Sequence, residues 1–175
     1  DYKPDNKRLE KVRDIFLFCC FTGYDYSTTA ALTDKDLVAD DDGALWIDTH
    51  RIKTKTAAKV KLLDIPLGII KKYELLDIPL SIIKKYERKR DSIFLLPVMS
   101  NAKYNLYLKE IAAACEIEKN VTSHLARHTF ATTVTYANGV SIESISKMLG
   151  HSNIGTTQIY GKITDHKIQE DMTAL

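Results

Sequence analysis

A succession of helix-period segments, each bounded by a capping residue or a glycine, limits most strongly what this chain can fold into. Between Lys7 and Phe21 the apolar residues Leu9, Val12, Ile15, Phe16 and Cys19 recur three or four apart, and Gly23 can end the helix. Ser27 is placed to cap a second, short helix over Thr28–Leu32. A long helix is expected from about Ser100 to Cys115, and another from an N-cap at Thr122 to just before Gly139. Ser141 can cap a shorter helix that stops at Gly150, followed by helical pieces near Asn153–Gly161 and Asp165–Met172. Strand patterning is confined to Ala44–Thr49, Ala57–Leu63 and, more weakly, Leu76–Pro79, with a turn at Asp40–Gly43 ahead of the first strand. The expectation is a mainly α fold with a small antiparallel β-sheet, in a single domain spanning 1–175.

Of 175 residues, 45% are apolar and 27% charged, which fits a globular core and excludes a disordered tail, a collagen-like repeat or a disulfide miniprotein. The longest uncharged apolar run, Ile15–Cys20, is too short to span a bilayer. The opening residues do not read as a signal peptide. Three cysteines, two of them adjacent (Cys19, Cys20, Cys115), read as small core residues in a reducing, cytoplasmic setting.

The net charge of +2 is unevenly spread. Arg51–Arg90 carries 12 Lys and Arg against 4 Asp and Glu, while the rest of the chain is net acidic. Such a tract suits a polyanion and equally suits a solvated face. Part of it is duplicated sequence. Leu62–Glu74 (LLDIPLGIIKKYE) and Leu75–Glu87 (LLDIPLSIIKKYE) differ only at Gly68 and Ser81. Two units of 13 residues are too few and too short for a solenoid, so 62–87 reads as a small tandem duplication. Only one copy can take the strand-to-helix position after the sheet, and the other is expected to be a surface insertion.

The chemistry-bearing residues gather between Thr122 and Tyr160. His124 and Arg127 are three apart on one helix face, close to an N-terminus whose free N–H groups suit a phosphate. His151 follows Gly150 at a helix end, and Tyr160 comes nine residues later. Together they can handle a phosphodiester. His124 and His128 also have the spacing of a helical metal pair, but Leu125 stands where a zinc protease has Glu and no third ligand is near, so no metal is expected.

HLARHTFATT followed by LGHSNIGTTQIY resembles the catalytic end of the tyrosine recombinases, the phage integrase family, and is most similar to integrases of mobile elements in Bacteroides-type bacteria. The resemblance extends over essentially the whole chain, with the usual N-terminal DNA-clamping domain absent. It implies site-specific DNA strand cleavage and rejoining without a cofactor. Tyr160 matches the nucleophile that forms a 3′-phosphotyrosyl link. Arg127 matches an arginine that grips the phosphate, and His124 and His151 match two histidines that hydrogen-bond it. Lys53 matches the lysine that protonates the leaving 5′-oxygen, with Lys55 the lesser candidate. Double-stranded DNA is the implied partner, contacted by Arg51, Lys53, Lys55 and Arg127. Four protomers are expected to assemble on two duplexes, with Asp165–Leu175 as a docking segment.

One position departs from the family. Its first arginine lies in Thr-Gly-Leu-Arg, whereas Thr22–Tyr26 reads TGYDY and puts Asp25 there. No neighbouring arginine is an evident substitute: Arg13 lies within the preceding helix and Arg51 in the sheet region. Asp25 is expected to face the phosphate site, to pair with Arg127 and to hold activity down, with capping of the short helix as its simpler role. The alternative to an active recombinase is a catalytically impaired DNA-binding relative.

Overall fold

A computed structural model describes residues 2–74, 93–161 and 172–173. The first helix, α1 (Lys7–Thr22), begins where the Asn6 side chain accepts the Leu9 N–H and ends at Gly23, which takes a left-handed conformation (φ 72°). The short α2 (Tyr26–Ala31) starts two residues earlier than its sequence suggests, because Asp25 rather than Ser27 is its N-cap. A three-stranded antiparallel sheet follows, β1 (Leu37–Ala39), β2 (Leu45–His50) and β3 (Ala57–Lys61), in that spatial order. The Asp40–Gly43 turn therefore joins two strands instead of preceding the first. Strand β1 is too short, at three residues, to show an alternating pattern of its own.

The first copy of the repeat continues from β3 into α3 (Asp64–Glu74). Pro66 sits in the first turn of α3, where its missing N–H has no partner to lose. Ile69 and Ile70 of α3 are buried. Lys72 Nζ donates to Asp14 Oδ2 at 2.6 Å and Tyr73 Oη donates to the same oxygen at 2.9 Å, tying α3 to α1. Arg13 donates to the other oxygen of Asp14. Burial alone would raise the Asp14 carboxyl, but Lys72, Arg13 and Tyr73 hold it below its usual 3.8. The second copy, and the weak strand expected at Leu76–Pro79, lie outside the described residues. Lys72→Ala is expected to lower the melting temperature by several degrees, the effect of removing one charge-assisted hydrogen bond from a buried carboxylate that keeps Arg13 and Tyr73. Lys85→Ala, at the matching position of the second copy, is the control, and an equal loss there would show that the copies exchange places.

The second half is helical: α4 (Asn101–Ala114), α5 (Ser123–Thr129), α6 (Ile142–Met148) and α7 (Gly155–Gln158). After α5 the chain continues through a π-helical turn (Phe130–Thr135) and a 3₁₀ turn (Tyr136–Asn138) to Gly139 (φ 79°). The Ser141 side chain accepts the Ser144 N–H and caps α6 as its sequence indicates. The segment expected to be helical at Asp165–Met172 lies almost wholly outside the described residues.

Helix α1 divides the core. Val12, Ile15 and Cys19 pack with Tyr104, Leu108 and Ala126 of α4 and α5. Phe18 belongs to the second cluster, with Tyr24, Ile47, Val60, Ile70, Phe130, Leu149 and Tyr160, which fills the space between the sheet and the C-terminal helices. Burial pushes the Cys19 and Cys20 thiols up to about 12, so both stay protonated core residues. Among the described residues no helix is long and apolar enough to cross a membrane.

Candidate active site

On α5, between Ala126 of one core cluster and Phe130 of the other, stands Arg127, only 2% exposed. A charge is buried at such cost only where its donors are engaged. Nη1 donates to the Gly23 carbonyl at 2.7 Å and Nη2 to the Leu149 carbonyl at 2.5 Å. Arg127 thereby joins the end of α1 to the end of α6. Burial first, and the nearby charge of Arg51 second, push its pKa down to about 10, so it is cationic at neutral pH.

Around this guanidinium stand the residues singled out by sequence. Tyr160 follows α7, is 9% exposed, and lies within electrostatic reach of Arg127. Its ring meets that of His128 edge-on at 4.9 Å, and His128 in turn meets His124 edge-on at 4.9 Å. His128 thus spaces His124 from Tyr160, a role that its sequence position did not disclose. Among the described residues no group of three candidate metal ligands gathers there or elsewhere. His151 begins the stretch after α6, and its Nδ1 shares a 2.7 Å hydrogen bond with the buried Thr157 hydroxyl of α7. Burial, and then the charges of Arg127 and Arg51, hold the His151 imidazole down at about 4. Burial, His128, Arg127, Lys53 and Arg51 also lower His124. Both rings are neutral at pH 7.

The β2–β3 turn (51–56) brings up the remaining cations. Lys53 and Lys55 are exposed on it, and Lys53 is close enough for its charge to act on His124. Lys55 takes a left-handed conformation (φ 57°) at the turn. Arg51 comes to Asp25: Nε donates to Asp25 Oδ2 at 3.0 Å, with the two side chains 17% and 10% exposed. The other Asp25 oxygen accepts the Thr28 N–H at 2.9 Å. Burial alone would raise the Asp25 carboxyl, but the Thr28 N–H and Arg51 hold it below 3.8. Two expectations are corrected here. Asp25 pairs with Arg51 and not with Arg127, whose two hydrogen bonds go to backbone carbonyls; and an arginine does stand beside the substituted position. A separate groove of about 450 Å³ between the sheet and α6 shares only His151 with this cluster.

The lowered histidines have a consequence for stability. The native state holds His151 neutral, while the unfolded chain protonates it below its usual 6.5. Its contribution is therefore complete above about pH 6.5 and lost as pH falls toward 4. Asp14 and Asp25, held below 3.8, titrate beneath that window. The melting temperature should fall between pH 7 and pH 5, with a shallower slope in His151→Gln; parallel slopes would contradict the assignment.

The small three-stranded sheet flanked by helices is a fold shared with tyrosine recombinase catalytic domains. The chain aligns over 98% of its length with the structure of the XerH site-specific recombinase bound to a palindromic difH substrate in a post-cleavage complex (TM-score 0.70, 19% identity, 48% of that chain). It also aligns over 97% of its length with the catalytic domain of bacteriophage HP1 integrase (TM-score 0.57, 20% identity, 92% of that chain). The chain belongs to the phage integrase family, whose model matches residues 3–167. Among curated relatives, tyrosine recombinase XerD of Listeria monocytogenes is 43% identical over 63 residues, 36% of this chain and 21% of that protein. Tyrosine recombinase XerA of Thermococcus onnurineus is 57% identical over 44 residues, 25% of this chain and 15% of that protein. The matched stretch therefore spans about a fifth or less of the length of these relatives.

Proposed function

We propose that this chain is the catalytic domain of a site-specific DNA recombinase, cleaving and rejoining strands through a 3′-phosphotyrosyl intermediate. Membership of the phage integrase family and the gathering of Tyr160, His124 and His151 around the buried Arg127 carry the reading. Tyr160 Oη attacks the scissile phosphorus, a P–O(Tyr) bond forms and the P–O5′ bond breaks. The tyrosine proton leaves to a neutral imidazole or to solvent, and Lys53 supplies a proton to the departing 5′-oxygen. Arg127 stabilises the charge on the non-bridging oxygens. In the tautomer whose Nδ1 accepts the Thr157 hydroxyl proton, His151 Nε2–H is left as a donor to the same oxygens. One phosphodiester replaces another, so the step needs no nucleotide, and no cofactor is assigned.

The substrate on this reading is double-stranded DNA, lying across the face that presents Arg51, Lys53 and Lys55, in a cytoplasmic complex of four protomers on two duplexes. Nicked duplexes that lose a short 5′-hydroxyl fragment on cleavage trap the covalent adduct. Tyr160→Phe should abolish that adduct while leaving DNA affinity within about fivefold, since one buried hydroxyl contributes only ~1 kcal/mol. Adduct formation by Tyr160→Phe would refute the assignment. Tight binding with no adduct from the unaltered chain would favour the impaired DNA-binding relative.

A further inference from the structure

Position 25 offers a carboxylate where the resemblance calls for a guanidinium, yet the surrounding segment grips the β2–β3 hairpin at three successive points. The Tyr24 hydroxyl donates to the Ile47 carbonyl of β2 at 3.1 Å, with the Ala58 carbonyl of β3 at 3.2 Å sharing the same proton. Asp25 holds Arg51 Nε at 3.0 Å. Thr28 Oγ1 accepts the Ile52 N–H at 3.3 Å. The turn is also closed on itself, with Arg51 N–H donating to Thr56 O and Lys55 N–H to Arg51 O, each at 2.8 Å. Tyr24 is 1% exposed, and its size lets it reach both strands. The residues that differ from the Leu-Arg pattern are therefore the ones that fix where Arg51 stands.

Among the described residues the Arg51 side chain is held through Nε, by Asp25. Among the described residues its two terminal nitrogens have no hydrogen-bond partner, which leaves a planar pair of donors suited to two phosphate oxygens. Its charge acts on Arg127, His124 and His151, so it belongs to the same cluster. Two cations close enough to depress each other's neighbours are tolerated where an anion comes to lie between them.

We propose that Arg51, delivered by the β2–β3 turn and oriented by Asp25, is a catalytic residue that grips a non-bridging oxygen of the scissile phosphate, in place of an arginine at position 25. Asp25 is then a positioning residue, and the chain carries two guanidiniums at the phosphate. This rests on the strand-cleavage reading above.

The test uses a pool of nicked DNA duplexes with a randomised core. Adducts captured with the unaltered chain give the cleaved sequence, which is then synthesised with either a phosphodiester or an uncharged methylphosphonate at the scissile position. On the phosphodiester, Arg51→Ala should slow adduct formation about 10²–10³-fold, the scale for one transition-state donor, and Arg51→Lys should slow it less. The melting temperature should fall by several degrees, because the buried Asp25 loses its cation and keeps only the Thr28 N–H, so rates are compared well below the transition of either protein. On the methylphosphonate the loss should shrink to under about tenfold, since the charge that Arg51 balances is gone. Asp25→Arg with Arg51→Asp, which inverts the ion pair, should recover at least about tenfold of the loss in Arg51→Ala, by putting one guanidinium back. Cleavage by Arg51→Ala within threefold of the unaltered chain would overturn the proposal. So would an equal loss on both substrates, which would mean that Arg51 only shapes the turn. A hundredfold gain from Asp25→Arg alone would overturn it too, by showing that a guanidinium was missing. Failure of the unaltered chain to form any Tyr160-dependent adduct contradicts the strand-cleavage reading itself, a result distinct from an adduct that forms without Arg51.

Discussion

Arg127→Ala should both unfold the domain more readily and silence it. The substitution leaves the Gly23 and Leu149 carbonyls without their donors and opens a void at a fully buried position. Hydrogen bonds to a charged group contribute ~1.5–3 kcal/mol each, so the expected loss is about 3–6 kcal/mol. At roughly 2–4 °C per kcal/mol for a chain of this size, the melting temperature should drop by about 10–15 °C. Arg127→Lys keeps the charge but has a single nitrogen to serve two carbonyls, and should lose about half as much. On the proposed mechanism both variants lose adduct formation, the alanine by at least about 10³-fold. Differential scanning calorimetry beside the nicked-duplex assay separates the two effects. A melting temperature unchanged in Arg127→Ala would show that the guanidinium does not join α1 to α6.

Gly23→Ala should be nearly as damaging, for a different reason. Its φ of 72° costs a non-glycine residue about 1–2 kcal/mol, and an added Cβ would stand 2.4 Å from Phe130 Cδ1 and 2.9 Å from Leu149 Cδ2. Neither ring nor isobutyl group has room to retreat, because both are buried at the centre of the sheet-side cluster. Overpacking of this kind adds about 1–3 kcal/mol. The Gly23 carbonyl that Arg127 holds would shift with it, so adduct formation should fall along with stability. Gly139→Ala is the control: its φ is 79°, but nothing lies within 4 Å of the added carbon, so only the backbone strain remains. Equal losses at the two glycines would mean that the close approach of α1 to Phe130 contributes nothing.

The local elements were legible because their signals are local. Caps and glycines mark α1 and α6 within a residue or two, since a cap acts on N–H groups two or three positions away. The cluster of His124, Arg127, His151 and Tyr160 was legible because it falls within 37 residues of one another in a dense motif. The ion pair between Asp25 and Arg51 was not, because it joins two elements 26 residues apart and depends on how a hairpin leans on a helix terminus. The same holds for His128, whose place between two rings is set by where α7 lands after α6. Strand β1 escaped notice through its brevity. Asp25 was read chiefly for the arginine it replaces, with capping of the short helix as its simpler role; it does cap α2 through Thr28, and its hydrogen bond to Arg51 adds a mooring for the hairpin that the sequence did not disclose.

The central claim is that Tyr160 takes up the broken strand. The most direct measurement is peptide mapping by mass spectrometry of the adduct trapped from nicked duplexes, with the released DNA end identified in the same sample. The expected result is a single modified peptide bearing the 3′-phosphoryl end of DNA on Tyr160, and a free 5′-hydroxyl on the other fragment. A phosphoryl group on any other residue, or a 5′-phosphoryl link, would contradict it.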